Sequence, residues 1–357
     1  PHLHCAILVL LCSFLPYSVS VSPVPVCWGN NGNGQLDAPT NYTFTQLSTG
    51  VSTTCGLDTE GHAHCWGANT WGQQDVPTNP SPVFSLISVK WDHTCGLFAN
   101  GTVICWGFDN HAQLSVPKNA IFETMNAGWW NACGLEINGT ALCWGGLYSD
   151  QAYNQSRVPT DEPFLQVSAG YHHSCGVLAS NNTALCWGDN SDGQCQVPTG
   201  KTFMAIGTGE EFSCGLQLDG IALCWGNNIF GQLNAPDNIA FTSIAVGGFH
   251  VCGLEANGSV FCWGQNTYGQ ATPPTNYTVF SGLTAGDQGT LRCGILKYNF
   301  PNHLLNNSFP NHLLYYNFPI HLLNYNVLNH LFSHGTSIPT GPRMGYMVEK
   351  DDVETMQ

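Results

Sequence analysis

The sequence predicts an all-β protein, a seven-bladed β-propeller that is closed by its own N-terminal strand. The triplet Cys-Trp-Gly occurs seven times, at steps of 38 to 43 residues. Repeats of about 40 residues are typical of propellers, because four short strands with their turns fill that length. Each repeat is therefore predicted to be one blade, and the propeller is predicted to span residues 24–297.

A second motif indicates that the array is a ring. Cys-Gly followed by an aliphatic residue also occurs seven times, and six copies stand 10 or 11 residues before a Cys-Trp-Gly. The first Cys-Trp-Gly, at Cys27, has no such motif before it, and the last Cys-Gly, at Cys293, has no Cys-Trp-Gly after it. The repeat is complete only if the two ends of the array meet, so we expect the N-terminal strand to complete the last blade.

Composition and charge agree with a turn-rich β protein and exclude several partners. Charged residues make up 9% of the chain and glycine contributes 40 residues, whereas an ordinary soluble domain has about 25% charged residues. The formal net charge of −15 argues against nucleic acids and anionic lipids, because a basic surface for phosphate pairing is lacking. No stretch of 18 or more apolar residues occurs, so no membrane span is predicted.

The N-terminus indicates which compartment the 17 cysteines experience. Residues 1–20 are predicted to be a secretory signal peptide, with a short apolar run from Cys5 to Leu15 and small residues for cleavage after Ser20. In a secreted chain a regular cysteine lattice indicates disulfides rather than metal sites. Predicted N-glycosylation sites agree with secretion and lie at Asn41, Asn100, Asn138, Asn154, Asn181, Asn257, Asn276 and Asn306.

Hairpin geometry predicts how the cysteines pair. Cys252 and Cys262 are ten residues apart. If they lie directly opposite each other, the loop between their strands must hold an odd number of residues. Ala256-Asn257-Gly258 fits a three-residue turn whose last residue is left-handed. Opposed strand residues have Cβ atoms about 4.5–5.5 Å apart, close to disulfide geometry. The repeat with Cys175 and Cys186 has one more residue, so its loop must be even. Cys5 and Cys12 lie in the predicted signal peptide, and Cys195 is left unpaired. The predicted pairs are Cys27–Cys293, Cys55–Cys65, Cys95–Cys105, Cys133–Cys143, Cys175–Cys186, Cys214–Cys224 and Cys252–Cys262.

Tryptophan and proline place the other segments of each repeat. Trp follows Cys directly, so the two side chains point to opposite faces of a strand. We therefore expect each Trp to be buried against the disulfide of a neighbouring blade. The segment after each Cys-Trp-Gly, such as Gly231-Gln232-Leu233 with Ala235-Pro236, contains Pro, which is tolerated on edge strands. We place it at the outer rim of the blade.

Beyond Cys293 the pattern changes. Residues 298–336 hold a nine-residue repeat that is neither a helical nor a strand period. It spaces His303, His312, His321 and His330 evenly, and a duplicated low-complexity segment is favoured over a metal array. Residues 337–357 are predicted to be a disordered tail.

No catalytic residue, cofactor or metal site is predicted. His62 and His64 are two residues apart, so both would point to one face of a strand, as metal ligands can. They occur in one repeat only, however, and have no third ligand. Paired zinc cysteines stand about two to four residues apart, whereas these stand ten or eleven apart. The sequence contains no nucleophile elbow, phosphate-cradling loop or paired-carboxylate motif. The protein is therefore predicted not to be an enzyme.

The connections before each Cys-Gly differ between repeats and form the candidate binding site. Equivalent connections of successive blades project from one face of a propeller, and here they carry aromatics and acids, which suit a protein-binding hot spot. The alternative is that they are ordinary turns in which His93, His173 and His250 form local hydrogen bonds. The candidate ligand-binding residues are Trp91, Asp92, Trp129, Trp130, Tyr171, His172, Glu210, Glu211 and Phe249.

The repeat resembles that of the regulator of chromosome condensation family. Units of that family carry an aliphatic run with Gly, a His, a Gly-centred hairpin, then Trp-Gly-x-Asn and Gly-Gln-Leu. The matching residues here are Ala245-Val246-Gly247, His250, Asn257-Gly258 and Trp263-Gly264-Gln265-Asn266. The resemblance implies a seven-bladed propeller. The cysteine-bearing variant is similar to ectodomains of crinkly-type plant receptor kinases and to secreted propellers, including a β-lactamase inhibitor protein. One repeat departs from the pattern, with residues 146–157 in place of the Asn and Gly-Gln elements.

These observations predict a secreted, monomeric, non-enzymatic recognition scaffold that binds a protein or peptide ligand through one propeller face. Nuclear members of the family act on a small GTPase, but a signal peptide, disulfides and an acidic surface argue against nucleotide exchange. One alternative is the extracellular sensor domain of a truncated crinkly-like receptor kinase. A propeller enzyme, such as a lyase or glycosidase, requires carboxylates at the ring centre, and charged residues are scarce.

Overall fold

The computed structural model describes residues 25–78, 82–146, 153–275, 279–286 and 291–296. The predicted signal peptide (1–20), nine-residue repeats (298–336), tail (337–357) and sequons at Asn276 and Asn306 lie outside these residues and stay predictions. The chain separates into two units, Pro1–Leu304 and Leu305–Gln357, and the second lies wholly outside the described ranges. In the described part, no helix is long and apolar enough to cross a membrane.

The regular secondary structure of the described residues consists of β-strands, which form seven three-stranded antiparallel sheets. The strands are β1 Pro25–Gly29, β2 Phe44–Thr49, β3 Thr53–Asp58, β4 Ala63–Gly67, β5 Phe84–Lys90, β6 His93–Phe98, β7 Val103–Gly107, β8 Phe122–Ala127, β9 Asn131–Glu136, β10 Ala141–Gly145, β11 Phe164–Ala169, β12 His173–Leu178, β13 Ala184–Gly188, β14 Phe203–Thr208, β15 Phe212–Gln217, β16 Ala222–Gly226, β17 Phe241–Val246, β18 His250–Glu255, β19 Val260–Gly264, β20 Phe280–Ala285 and β21 Leu291–Leu296.

Each sheet is one blade with a first, a middle and a last strand. Blades 1 to 6 are formed by β2–β4, β5–β7, β8–β10, β11–β13, β14–β16 and β17–β19, and blade 7 by β20, β21 and β1. β1 therefore serves as the last strand of blade 7 and places Cys27 opposite Cys293. On the other side of this junction, Thr49 Oγ1 of blade 1 lies 3.1 Å from Thr284 Oγ1 of blade 7. The predicted seven-bladed propeller, closed by the N-terminal strand, is confirmed.

First strands of neighbouring blades contact one another, which places them at the inner edge of the ring. Side chains join them in place of a continuous sheet. Gln46 Nε2 donates to the carbonyl of Ile87 at 3.0 Å, and Gln46 Oε1 accepts from the Ile87 amide at 3.0 Å. Gln166 forms the same two bonds with Ile206. These pairs satisfy inner-edge backbone groups that are partly shielded from water.

The prediction of four strands per blade is wrong, because the segment after each last strand forms consecutive turns. After β16, the Gly231 amide donates to Asn228 O at 3.1 Å and the Asn234 amide donates to Gly231 O at 3.1 Å. The Asn228 side chain accepts from the Leu233 amide at 2.9 Å. Gly231 has φ +78°, a left-handed conformation that favours glycine. Several amides of this segment are thus bonded locally and not in a strand ladder.

The same segment lies between blades and not at the outer rim, which corrects that prediction. Its glutamine is buried, and the glutamine carbonyl accepts a hydrogen bond from the tryptophan indole of the following blade. Six of these tryptophans pair with glutamines of the Gly-Gln or Ala-Gln motif. The bonds, of 2.9–3.1 Å, join Trp66 to Gln35, Trp106 to Gln73, Trp144 to Gln113, Trp187 to Gln155, Trp225 to Gln194, Trp263 to Gln232 and Trp28 to Gln270.

Each interface between blades buries the tryptophan of one blade near the disulfide of the blade before it. Trp106 of blade 2 lies in one apolar cluster with Cys55 of blade 1, and Trp66 of blade 1 lies with Cys293 of blade 7. The seven motif tryptophans are only 5–7% exposed. The first strand adds a phenylalanine, such as Phe84, whose ring centroid is 5.8 Å from that of Trp106. The predicted packing of Trp on the neighbouring disulfide is confirmed.

One disulfide joins the middle and last strands of every blade, with Cα atoms 4.0–4.1 Å apart. The prediction that each blade is stapled by a disulfide is confirmed. In blade 6 the Glu255 amide donates to Ser259 O at 2.9 Å, which encloses the expected three-residue loop. In blade 4 the Leu178 amide donates to Thr183 O at 2.9 Å, so that loop holds four residues. Asn182 takes the left-handed conformation there, with φ +60°.

Glycine in the Cys-Gly motif makes room for the phenylalanine of the first strand. A Cβ on Gly56 would lie 2.4 Å from the Phe44 ring, far inside the packing distance of about 3.5–4.0 Å for carbon atoms. Phe44 is fully buried. The motif therefore combines a disulfide staple with a flat surface on which the aromatic core packs.

Candidate binding face

The connections between first and middle strands follow one plan in all blades. The residue that follows the first strand is Gly in six blades, for example Gly50 and Gly170, and in blade 2 the equivalent position is Lys90, the last residue of β5. A Cβ on Gly170 would lie 2.9 Å from the carbonyl oxygen of Gly209 in the next blade. Connections of neighbouring blades thus approach closely. The amide of Trp129 donates to Gly170 O at 3.0 Å across the same kind of gap.

These connections share one end of the ring with the segments that follow the last strands. The Phe108 amide donates to Asp92 O and the Asp189 amide donates to His172 O, both at 2.9 Å. We call this end the connection face. The opposite end carries the hairpins between middle and last strands, and we call it the hairpin face.

Aromatic rings of blades 2 to 4, together with Trp71 from the segment after blade 1, form a continuous aromatic cluster on the connection face. Trp91 and Trp129 lie parallel, with ring centroids 5.8 Å apart and planes 3° apart. The Trp129 ring meets Tyr171 edge-on at 4.4 Å. Trp91 has φ +45°, a strained value for a bulky residue that is more frequent at functional sites. The cluster consists of Trp71, Trp91, Phe108, His111, Trp129, Trp130, Tyr153, Tyr171 and His172.

Four members of the cluster were not predicted as site residues. Trp71 and His111 stand before the buried Gln segment, Phe108 follows a Trp-Gly, and Tyr153 lies in the departing segment 146–157. Trp71 packs edge-on against Phe108 at 4.9 Å, and His111 stacks on Trp130 at 4.4 Å. The sequence signal that could have identified them is that these four positions differ from repeat to repeat, whereas the adjacent Trp-Gly and Gln residues recur.

Acidic side chains adjoin the cluster in blades 4 and 5. Glu210 lies close enough to Tyr171 to raise the pKa of its phenol, after burial as the main cause. Burial raises the pKa of Glu211, and the charges of Asp192 and Asp189 raise it further. Like charges in a partly desolvated site disfavour ionisation. The connection face therefore has aromatic and acidic halves that meet at Tyr171.

Two predicted site residues are not among the rings of the cluster. Asp92 Oδ1 accepts from Gln73 Nε2 at 3.1 Å, and burial raises the pKa of the Asp92 carboxyl. Asp92 thus braces the connection of blade 2 against the buried glutamine. Phe249 lies in blade 6, where its ring centroid is 5.0 Å from that of Phe230, and the structure does not bring it into the cluster of blades 2 to 4.

His93, His173 and His250 begin middle strands and are fully buried. His173 Nε2 lies 2.9 Å from Ser213 Oγ in the next blade. This bond joins blades and is not local. These histidines therefore belong to the scaffold and not to the binding face.

We expect the stability of the propeller to fall as the pH is lowered from about 6.5 to about 4. Burial lowers the pKa of both His93 and His173 from 6.5 to about 4. Protons then bind the unfolded chain more readily than the folded one. The contribution of each histidine to the unfolding free energy is therefore complete above the pKa of the unfolded chain and is lost as the pH falls through the pKa of the folded state. The loss amounts to roughly 3 kcal/mol per histidine.

Urea denaturation across this pH range measures the effect. The double variant His93→Gln, His173→Gln is expected to lose a large part of the pH dependence, although it is less stable at neutral pH, and His172, whose pKa burial also lowers to about 4, retains its share. An undiminished fall of unfolding free energy in that variant would show that other groups cause it.

Predicted glycosylation sites concentrate on the hairpin face. Asn100, Asn138, Asn181 and Asn257 are exposed on hairpins. In each, the Asn Oδ1 accepts from the amide two residues later, at 2.8–3.1 Å. Asn41 is exposed three residues before β2, which begins at the hairpin end of blade 1. Asn154 is the exception among the described sequons, since it is exposed beside Tyr153 of the aromatic cluster.

The remaining polar candidates do not form a metal site. His64 Nε2 lies 2.8 Å from Asp58 Oδ2, and His62 Nδ1 lies 3.6 Å from the same oxygen. Among the described residues, no group of three His, Cys, Asp or Glu is arranged to hold a metal ion. Cys195 is a free thiol whose Sγ donates to Asp189 O at 3.1 Å, and burial raises its pKa to about 12.

Comparison with known families identifies the repeat. Residues 44–73, 84–113, 164–194 and 241–270 match the sequence profile of the regulator of chromosome condensation (RCC1) repeat. Each matched segment begins at the Phe of a first strand and ends at the buried Gln. The chain therefore carries RCC1 repeats, as the sequence resemblance implies. A comparison with curated protein sequences gives no match.

Solved structures with the same fold include two plant receptor ectodomains. The ectodomain of receptor kinase CR4 from Physcomitrella patens is 29% identical, with TM-score 0.58, over 67% of this chain and 66% of that one. The CRINKLY WD40 ectodomain of receptor kinase ACR4 from Arabidopsis thaliana is 27% identical, with TM-score 0.59, over 68% and 88%. Yeast RCC1 (Prp20), solved with Kap60, is 17% identical, with TM-score 0.65, over 78% and 90%, and shows the fold alone.

Proposed function

We propose that this protein is a secreted, non-enzymatic recognition scaffold that binds a protein or peptide through the connection face. The aromatic cluster is the observation that carries the proposal. Trp91, Trp130 and Tyr171 are half-buried, so they present ring area on a rigid support. Trp and Tyr dominate binding hot spots because they bury a large area and lose little conformational entropy on binding.

Three further observations support this function. Seven disulfides suit an oxidising, extracellular compartment. Two receptor ectodomains are 27–29% identical to this chain. Five of the six described sequons lie at the hairpin end, so N-glycans there would leave most of the connection face accessible.

A second candidate function is the sensor ectodomain of a receptor kinase. The likeness to two such ectodomains favours it. Sequencing the complete transcript tests it, because a receptor kinase requires an apolar span of about 20 residues and a kinase domain in the same reading frame. A transcript without them leaves the secreted scaffold.

Panning a random peptide library on the refolded, oxidised propeller tests the main proposal. The variant Trp130→Ala, Tyr171→Ala is expected to bind the recovered peptides about 30-fold more weakly or worse, since loss of hot-spot side chains costs about 2 kcal/mol or more. Ile137→Ala is the control, because Ile137 is 76% exposed on the hairpin face. Both variants are compared with the parent by thermal unfolding.

The opposite pattern would overturn the proposal. If the recovered peptides bind the Trp130→Ala, Tyr171→Ala variant as tightly as the parent, the connection face is not their binding site. Weakened binding in Ile137→Ala with a preserved melting temperature would place that site on the hairpin face.

A further inference from the structure

We propose that the connection face selects a basic peptide segment and holds a lysine or arginine side chain at Tyr171, whose blade lies between those of Trp129 and Glu210. This inference rests on the proposed function and specifies its ligand chemistry. An aromatic face attracts a cation through its quadrupole, and a carboxylate beside it adds direct charge pairing.

The backbone brings these three side chains to adjacent positions. Trp129, Tyr171 and Glu210 each follow the connection's first glycine, in blades 3, 4 and 5. The Trp129 amide donates to Gly170 O and the Glu210 amide to Gly248 O, both at 3.0 Å, which ties successive connections together. Trp129 and Tyr171 have ring centroids 4.4 Å apart. Aromatic rings and a carboxylate thus succeed one another around the inner edge of the face.

The acidic half carries like charges whose described hydrogen bonds come from neutral donors. Asn227 Nδ2 donates to Asp192 Oδ1 at 2.9 Å and to Glu211 Oε2 at 3.1 Å. Asp189 accepts from Gln194 Nε2 at 3.1 Å. Asp189 and Asp192 raise the pKa of Glu211 after burial, so the repulsion among these carboxylates is not cancelled. A ligand cation would relieve it, whereas an anionic or neutral ligand would not.

The only lysine or arginine among the described connection positions lies far from the acidic half. Lys90 replaces the glycine of blade 2 and is 9% exposed, and Asp92 lies on the same connection. The connection of blade 5 carries Glu210 and Glu211 and no basic residue. Blade 5 is therefore the part of the face that favours a cationic side chain.

Trp129 supports the site from beneath. It is 5% exposed and packs between Trp91 and Tyr171. It therefore holds the half-buried ring of Tyr171 in place for a ligand.

Two defined probes test the ligand class. One is a fluorescent peptide of about ten residues in which lysine alternates with glycine, and the other replaces each lysine by glutamine. At about 50 mM salt, where charge screening is weak, we expect the lysine peptide to bind at least tenfold more tightly by fluorescence anisotropy. Its affinity should fall as salt is added, and Trp fluorescence should change on binding.

The variant Glu210→Gln, Glu211→Gln is expected to weaken lysine-peptide binding about tenfold or more. Asp219→Asn, Glu255→Gln is the matched control, since it removes the same formal charge beside the hairpins of blades 5 and 6. Tyr171→Phe should retain most of the affinity, because the ring remains, and Tyr171→Ala should lose it. Unchanged melting temperatures verify folding, and Glu211→Gln alone serves where the double variant is unstable.

The outcomes separate this inference from the proposed function. Equal binding of the lysine and glutamine peptides, or equal loss in the two charge variants, overturns the cationic ligand. If library peptides still depend on Trp130 and Tyr171 in that case, the proposed binding face stands without it. Binding of the lysine peptide that persists in Tyr171→Ala also overturns the inference, because the cation then lies elsewhere.

Discussion

Replacing Cys27 and Cys293 together by alanine is expected to destabilise the propeller more than replacing any other disulfide pair. The bond between them spans 266 residues, whereas the local bonds span 10 or 11. In the loop-entropy model, the long bridge contributes about 5–6 kcal/mol and a local bridge about 3 kcal/mol. The long bridge also holds β1 on β21, and β1 supplies Trp28 to the interface with blade 6.

The matched control is Cys55→Ala, Cys65→Ala, which removes two buried cysteines of the same kind within one blade. Urea denaturation of both double variants and the parent gives the three unfolding free energies. We expect the ring-closing variant to be the least stable by about 3 kcal/mol. Equal losses in the two variants would mean that β1 is held by packing and hydrogen bonds alone.

Replacing Trp225 by alanine is expected to cost about 3–5 kcal/mol of unfolding free energy. Trp225 is 6% exposed and packs with Cys175 and Phe203 in the interface between blades 4 and 5. Its indole also donates to Gln194 O at 2.9 Å, so the variant leaves a cavity and removes one of the two hydrogen bonds of that carbonyl, which keeps the one from Ser213 Oγ. Both effects act at the same blade interface and are not relieved elsewhere.

Trp71→Ala is the control for size and residue type, since Trp71 is 50% exposed. Its expected loss is clearly smaller than that of Trp225, because half of its surface stays in water and its removal leaves no enclosed cavity. Thermal and urea unfolding of both variants provide the comparison. Similar losses for the two would contradict the assignment of the motif tryptophans to the core.

The offset between the Cys-Gly and Cys-Trp-Gly motifs predicted the topology correctly, because a disulfide forms only between cysteines that lie opposite each other on paired strands. The spacing from Cys252 to Cys262 constrains the register of a hairpin, and the unmatched copy at Cys27 extends that register to the ring closure. By contrast, the number of strands was wrong. The polar Gly-Gln segment forms turns whose amides bond to side chains such as Asn228, and strand propensity does not register such bonds.

Contacts between blades were the least predictable part. The sequence places Gln155 within a segment that departs from the repeat, yet its carbonyl accepts from Trp187 and Ser174 as the regular glutamines do. A repeat period fixes where a residue lies in its blade, but not what the next blade brings against it. The connections were predicted as candidates because the repeat period places them on one face. Trp71 and Phe108, which complete the aromatic cluster, were not predicted, because they join it through contacts with neighbouring connections.

Hydroxyl-radical footprinting tests most directly whether ligands bind the connection face, using the propeller alone and with a library peptide bound. Trp, Tyr and Met side chains report solvent access. We expect Trp130 and Tyr171 to lose reactivity on binding. Met204, which is 47% exposed at the hairpin end of β14, should keep its reactivity. Protection of Met204 with unchanged Trp130 and Tyr171 would contradict the binding face.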